Sequence, residues 1–355
     1  MIFITYGTKL AENAYETLVR SDIKNYLQMG QSVALKPNLV VSSPAEGGAT
    51  THPEIVEGVI IFLKEYGIKD ISIIESSWVG DNTKRAFRAC GYEELSKRQG
   101  VPLFDLKSDK GRLVTHGKEA FSVCERALDT DFLINIPVLK AHCQTLLTCC
   151  MKNLKGCIPD SEKRRFHTLG IDKPVAILNA ILPTGYCVVD GICGDLSFEE
   201  GGNPVEANRI IAGRNPLLID SYCAELIGYK PDEIDYLHFG KELGLGDYAS
   251  SETEIVELHT ENKPVHSTAS SRQADRYRSL IREDSACSAC YSALIYALHR
   301  IDGKVNSASG PLHIGQGYRG KSGSGIGIGN CARGFEKCVQ GCPPKASDIA
   351  AFLAK

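Results

Sequence analysis

Five cysteines crowd toward the C-terminus as Cys287-x2-Cys290 and, forty residues on, Cys331-x6-Cys338-x3-Cys342, followed by Pro343-Pro344. Thiolates two residues apart can turn toward one centre, and four sulfurs would hold a [4Fe–4S] cluster. The glycines from Gly315 to Gly329 leave backbone N–H groups free to face cluster sulfides, and such hydrogen bonds tune a reduction potential. Four thiolates equally suit a structural zinc ion, and a cysteine can simply be a small core hydrophobe. The other nine, Cys90, Cys124, Cys143, Cys149, Cys150, Cys157, Cys187, Cys193 and Cys223, are scattered through mostly apolar stretches and read as core.

A second constellation lies in the first two thirds of the chain. Four expected strands end in polar residues: Lys36-Pro37-Asn38, Glu75-Ser76, Lys140-Ala141-His142 and Asp190-Gly191. In doubly wound sheets ligands sit beyond the carboxyl ends of the strands, so these side chains are expected to share one crevice. His52 stands at a helix start, MKNLKGCIP adds Lys152, Asn153 and Lys155, and His167 follows. Lysines and histidines gathered this way would bind a carboxylate or phosphate, and a histidine with a pKa near 6.5 can trade protons at neutral pH. Taken singly, each is as readily a solvated charge or a satisfied core histidine. The acidic stretch with Asp190, Asp195, Glu199 and Glu200 reads as a solvated turn in preference to a metal or lid loop.

The elements that must position these groups alternate. Strands are expected at 32–41, 70–77, 131–140, 186–193 and 208–213, with helices after Thr51, from Thr83 through Gln99, and from Pro216. Continuous Val/Ile/Leu runs joined by amphipathic helices imply an α/β fold, a mostly parallel, doubly wound sheet with helices on both faces. From about 250 the texture turns polar, then Cys- and Gly-rich. The expected organisation is an α/β anion-binding domain over 1–250, a linker or surface excursion over 251–284, and a small cluster module over 285–355. The nine glycines from Gly303 to Gly329 imply a tight loop. Within it GQGYRGKS (315–322) has the letters of a phosphate loop but no helix-forming sequence after it, so nucleotide binding is not expected there.

Composition narrows the class. The 355 residues carry 40 basic and 43 acidic side chains, a formal charge of −3, and 43% are hydrophobic. That balance gives no electrostatic case for a nucleic-acid or membrane partner, and no apolar run approaches the roughly 20 residues of a membrane span. The N-terminus lacks the pattern of a secretion signal, and abundant thiols suit a reducing compartment, so a cytoplasmic location is expected.

The pieces KPN (36–38), TTHPEIV (50–56), IIES (73–76), NIPVLKAH (135–142), MKNLKGCIP (151–159), His167, VVDGI (188–192) and AGRNPLLIDSYCAELIG (212–228) together resemble the family called domain of unknown function 362, from about 30 to 230. Members of that family often carry iron–sulfur clusters, and the tail resembles the cluster module of a subset. The resemblance implies Cys287, Cys290, Cys331 and Cys342 as cluster ligands, with Cys338 as the alternative. It differs from the attached-ferredoxin pattern, since Tyr291, Ser292 and Ala293 follow Cys290. The order of elements is also loosely similar to the lactate racemase family.

The resulting expectation is an oxidoreductase that passes electrons from the cluster to an anionic substrate or cofactor. His142, His167 and Lys140 would be catalytic. Lys36, Asn38, His52, Glu75, Lys152, Asn153, Lys155 and Asp190 would bind the substrate. The partner would be a redox protein or a small anion, with room for a second, unidentified cofactor. The rivals are a non-catalytic electron-transfer or cluster-delivery protein, and a metal-cofactor racemase- or transferase-like enzyme with a structural cluster.

Overall fold

The computed structural model of the chain describes residues 1–264, 273–305 and 310–354. Strands run in the order β1 (Ile2–Tyr6), β2 (Ser32–Pro37), β3 (Asp70–Glu75), β4 (Leu103–Asp105), β5 (Gly111–His116), β6 (Glu119–Cys124), β7 (Phe132–Ile136), β8 (Lys140–His142), β9 (Leu146–Thr148), β10 (Tyr186–Asp195), β11 (Pro204–Gly213) and β12 (Ile255–Leu258). Between them lie α1 (Leu10–Arg20), α2 (Pro53–Tyr66), α3 (Thr83–Ala89), α4 (Tyr92–Gln99), α5 (Glu125–Leu128), α6 (Cys150–Asn153), α7 (Asp160–Thr168), α8 (Asp172–Ile181), α9 (Pro216–Leu226) and α10 (Asp235–Glu242).

Eight strands form one sheet in the order β12-β1-β11-β10-β7-β2-β3-β4. Five of its pairings are parallel; only β11 runs antiparallel to its neighbours β1 and β10. The mostly parallel expectation holds, and the exception has a local cause. The connection from Asp195 to Pro204 is too short for a crossover helix, so the chain must return antiparallel. Alternate residues of each central strand face opposite cores. Val33, Leu35, Ile134 and Ile136 meet α1, α2 and α4 through Leu18, Val59, Leu63 and Leu95. Ala34, Leu133 and Val189 meet α6, α8, α9 and α10 through Met151, Leu178, Leu217 and Leu237. Continuous apolar runs follow from burial on both faces.

Helix ends follow local chemistry, with two departures from expectation. Thr51 does not cap α2; its hydroxyl accepts the Asn38 N–H and donates to the Ile136 carbonyl, tying the loop to the strand ends, and His52 takes the cap position. The helix from Thr83 breaks in two, because Gly91 adopts φ +76° between α3 and α4. Asn82 caps α3 by accepting the Arg85 N–H at 3.0 Å. Asn82→Ala should therefore cost about 1 kcal/mol, read as a lower urea midpoint at unchanged slope.

The polar stretch expected as a linker contributes β12, which pairs with β1 at the sheet edge. Its middle, 265–272, lies outside the described residues. The tail then builds its own parallel sheet, β13 (Ile281–Glu283), β14 (Leu312–Ile314), β15 (Gly323–Ile328) and β16 (Phe335–Val339), with α11 (Ser288–Arg300) and α12 (Ala346–Leu353). The glycine-rich run contributes two of these strands, β14 and β15, with turns and loop between and before them; 306–309 lie outside the described residues. Its glycines stand where neighbours press close: a side chain on Gly327 would strike the Ala332 backbone, and one on Gly325 the Pro311 carbonyl and His313 ring. GQGYRGKS is followed by β15, not by a helix. The tail core, with Leu294, Leu298, Ile326, Ile328 and Ile349, also takes in Cys143 and Phe198 from the main sheet body. Phe198 packs edge-on to Tyr296 at 5.2 Å. Among the described residues no helix is long and apolar enough to cross a membrane.

Candidate functional site

The parallel strands β7, β2 and β3 are neighbours, and their carboxyl ends open onto a cavity of about 120 Å³. At about 10–15 Å³ per water in this measure, that is room for roughly ten waters or a small organic anion. Its wall carries Lys36, Asn38, Glu75, Lys140, His142, Lys152, Asn153, Lys155 and His167. The structure thus brings nine of the expected cleft residues together. It also places Cys287 and Ser288, from the start of α11, on the same wall.

The basic groups divide into satisfied and unsatisfied ones. Lys36, fully buried, pairs with Glu75 at 2.8 Å and also donates to the Pro37 carbonyl. Glu75 in turn accepts the Leu39 and Ser76 N–H groups. A side chain on Gly156 would run into both partners, so the backbone of KNLKG must pass bare at this point. Lys140 donates to the carbonyls of Ala49 and Glu199 at 2.6 and 2.7 Å. Lys163 is held by Ser76, Ser77 and Asp160. By contrast Lys152 reaches only the Thr148 hydroxyl, at 3.3 Å, and Lys155 only the His167 ring, at 3.3 Å, among the described residues. Neither is paired with a carboxylate. Burial, then neighbouring lysine charge, pulls Lys140 and Lys155 down to about 7, and burial pulls Lys152 down to about 8. An anion would restore these charges, which is what an anion site requires.

The histidines do not stand near 6.5 as expected. Burial first, then the charges of Lys152 and Lys155, holds His142 well below that value; burial, then Lys155 and Lys152, does the same to His167. His142 Nδ1 accepts the backbone N–H groups of Gln144 and Thr145, at 3.1 and 3.2 Å. The ring proton must therefore sit on Nε2, which faces Glu199 Oε1 at 3.3 Å. His167 accepts from Lys155, while the Ser288 hydroxyl donates to Gln144 Oε1 at 2.8 Å.

His52 and Asp190 are placed differently. They are not among the cavity-lining residues; Asp190 Oδ2 accepts both the backbone N–H and Nδ1 of His52 at 2.8 Å. Burial opposes charge on that ring, but the Asp190 carboxylate overrides it and lifts His52 to about 11. This is a buried ion pair that ties α2 to β10. The acidic stretch beside it is no solvated turn: Asp190, Asp195 and Glu199 are all buried, and Asp195 accepts the N–H groups of Ser197, Phe198 and Asn203.

Ser76, expected at a strand end, is on the cavity wall, whereas sequence reasoning missed Trp78, Thr148, Lys163, Arg164 and the place of Glu199, all on that wall. A signal existed for Lys163, which stands one helical turn before His167 and so on its face of α7. None existed for Trp78 or Glu199, which arrive through loops.

In the tail, Cys287 caps α11 and Cys290 follows one turn later. Cys331 lies on a short turn after β15 and Cys342 beyond β16. The two loops are stitched together, since Asn330 N–H donates to the Gly341 carbonyl and Gly341 N–H to Asn330 Oδ1. Burial raises the Cys290 thiol, and the sulfurs of Cys287, Cys342 and Cys331 raise it further. Burial alone raises the Cys338 thiol, and its Sγ lies 3.8 Å from the Gly329 carbonyl. Arg319 Nε donates to Cys331 Sγ at 3.4 Å.

Two further groups of side chains could hold a metal ion: His142–Cys143–Glu199 and Cys149–Cys150–Asp220. The first is chemically unfavourable. A metal on Nε2 would force the proton onto Nδ1, against two N–H donors, and would add a cation beside Lys140 and Lys152.

Residues 33–225 match the family described as domain of unknown function (DUF362). A thylakoid-associated protein of Synechocystis sp. is 26% identical over 241 residues, 64% of this chain and 73% of that protein. The lactate racemase apoprotein of Thermoanaerobacterium thermosaccharolyticum superposes with a TM-score of 0.43 at 11% identity, over 63% of this chain and 57% of that one. A structural-genomics protein of Thermotoga maritima gives 0.42 at 13%, over 67% and 60%. This chain thus spans less than two thirds of either solved structure. With more than half of its length matched by one family, the chain belongs to the DUF362 family.

Proposed function

We propose that the protein is an iron–sulfur redox protein whose tail cysteines hold a [4Fe–4S] cluster beside an anion-binding cavity. The observation that carries this reading is the shared wall: Cys287 and Ser288 line the same cavity as Lys152, Lys155, His142 and His167. Cys287, Cys290, Cys331 and Cys342 fit the cluster, being four free thiols grouped from one helix start and two stitched loops. When bound, such a cluster supplies single electrons at a potential tuned by burial and by hydrogen bonds to its sulfurs.

The chain's own residues do the rest. Lys152 and Lys155 bind the anionic group of a substrate or second cofactor, because their ammonium groups lack a carboxylate partner. Val40, Trp78 and Val79 supply an apolar wall for the remainder of that molecule. An entering carboxylate or phosphate raises the pKa of the His167 imidazole toward the range where protons are traded at neutral pH. His142, held as the Nε2–H tautomer by the Gln144 and Thr145 N–H groups, offers that N–H as a hydrogen-bond donor to Glu199 or to the anion.

Anaerobically purified protein should contain about four irons and four acid-labile sulfides per chain, with visible absorption that dithionite bleaches reversibly. Cys287→Ser with Cys290→Ser should lose both, and Lys155→Ala should lose turnover of the co-purifying small molecule with the cluster intact. Zinc in place of iron, or iron without sulfide, would sink the cluster; unaltered turnover in Lys155→Ala would remove the cavity from the mechanism. A second reading, a non-catalytic electron carrier or cluster-delivery protein, is favoured by the exposure of Cys342, where a partner protein could reach. Transfer of iron and sulfide to an apo-acceptor without any small molecule would support it instead.

A further inference from the structure

Four of the cysteines that read as core meet in one place. Cys149 and Cys150 stand at the start of α6, Cys223 on α9, and Cys187 on β10, all without solvent exposure. Burial opposes ionisation of the Cys149 thiol, while Cys150, Cys223 and Asp220 favour it; burial, Cys149 and Cys187 all hold the Cys150 thiol up. Asp220 and Cys223 are three residues apart on α9, hence on one face of it. Ligand atoms of Cys149, Cys150 and Asp220 all lie within 4.8 Å of one another. The Cys149 and Cys150 sulfurs are 3.9 Å apart. On a tetrahedral zinc with Zn–S of about 2.3 Å, two sulfurs stand roughly 3.8 Å apart.

We propose that Cys149, Cys150, Cys223 and Asp220 form a second metal site, a closed four-coordinate structural zinc centre that pins α6 to α9 beneath the cavity. Three sulfurs and one oxygen with no open position suit zinc, and a soft donor majority disfavours magnesium, calcium or manganese. The surroundings differ from those of His142 and Glu199. Among the described residues no lysine, arginine or histidine forms an ion pair with Asp220, so a carboxyl group sits in a dry core without a cation. Its oxygens accept the N–H groups of Cys150 and Met151 at 2.7 and 2.9 Å. Those bonds orient the carboxylate and leave a lone pair on each oxygen for a ligand. Zinc binding would release the thiol protons of the three cysteines, and the buried Arg209, whose charge bears on Cys223, offsets part of the remaining negative charge. The site lies at the root of the MKNLKG segment (151–156) that presents Lys152, Asn153 and Lys155, so the zinc would also hold the cavity floor.

This inference does not depend on the cluster. The test uses the full chain carrying Cys287→Ser and Cys290→Ser, expressed with added zinc, so that an intact tail centre cannot account for bound metal. Native mass spectrometry and metal analysis should find one zinc per chain. Adding Cys223→Ala should remove it while far-ultraviolet circular dichroism stays native. If that variant fails to fold, Cys149→Ser in the same background makes the same prediction. A cobalt-loaded sample should show thiolate-to-metal charge-transfer absorption that Cys223→Ala abolishes. A tail variant that runs at the metal-free mass overturns the proposal, as does a disulfide among these cysteines or zinc retained in both core variants.

Discussion

Glu75→Ala is expected to destabilise the protein by about 3–5 kcal/mol, because it strands a fully buried ammonium. Lys36 has no exposure, and after the substitution its remaining oxygen partners are the Pro37 carbonyl and, at 3.4 Å, Asn153 Oδ1. The change also orphans the Leu39 N–H, which Glu75 Oε2 accepts at 2.9 Å. Glu75→Gln should cost less, since an amide oxygen still serves Leu39. The double substitution Lys36→Met with Glu75→Leu should recover most of the loss, because an apolar pair of similar volume removes both desolvated charges together. Denaturant unfolding of the four proteins reads all of this. A loss below about 1 kcal/mol for Glu75→Ala would mean that the pair is solvated and that Lys36 is free to bind a ligand. The expected outcome instead assigns Lys36 and Glu75 to building the cavity wall and leaves ligand capture to Lys152 and Lys155.

Anion affinity should fall about 50-fold between pH 7 and pH 9, approaching tenfold per unit above the pKa of one lysine that must be charged. Lys155 stands at about 7, lowered by burial and by Lys152 and Lys163, with Cys287 and Glu199 opposing. Lys152 stands at about 8, lowered by burial, with Glu199, Cys143 and Asp172 opposing. Below pH 7 these ammonium groups are present and attract the anion; above their pKa values they are neutral in the free protein and must be reprotonated for binding. A dicarboxylate is the right probe, since carboxylates stay ionised throughout that window. Isothermal titration across pH 6–9 measures the slope, and Lys155→Met should flatten it. The unliganded protein should show the opposite trend. Its folded lysines bind fewer protons than the unfolded chain between pH 7 and about 10.4, so stability rises with pH there. An affinity that is level or climbs over this range would remove the lysines from the site.

Much of the arrangement is legible without coordinates, for a physical reason. A parallel strand delivers its carboxyl end to one rim of the sheet, so polar residues that end apolar runs must collect there. Lys36 and Glu75 are positioned by that rule alone; Lys140 and His142 come four to six residues beyond β7, on the separate antiparallel β8–β9 pair, and Lys152, Asn153 and Lys155 follow on the next helical turns. The amide-rich strand made from Gly323 to Ile328 was not legible, because glycine's low strand preference is overridden where Ala332 and His313 leave no space for a side chain.

Charge and protonation were decided only by the folded chain. Sequence states that Lys36, Lys140, Lys152 and Lys155 exist; it does not state which has a carboxylate or carbonyl within reach. Distances of 3 Å set by residues 39 to 117 positions away separate Lys36, already paired, from Lys155, still available. The same holds for His52, whose partner Asp190 lies 138 positions off and draws it out of the cavity. His142 is turned into an Nε2–H donor by backbone groups two and three residues on, but its low pKa comes from burial and from the charges of Lys152, Lys155 and Lys140. Periodicity determines which face a residue takes; long-range packing determines how much water and which countercharge it keeps.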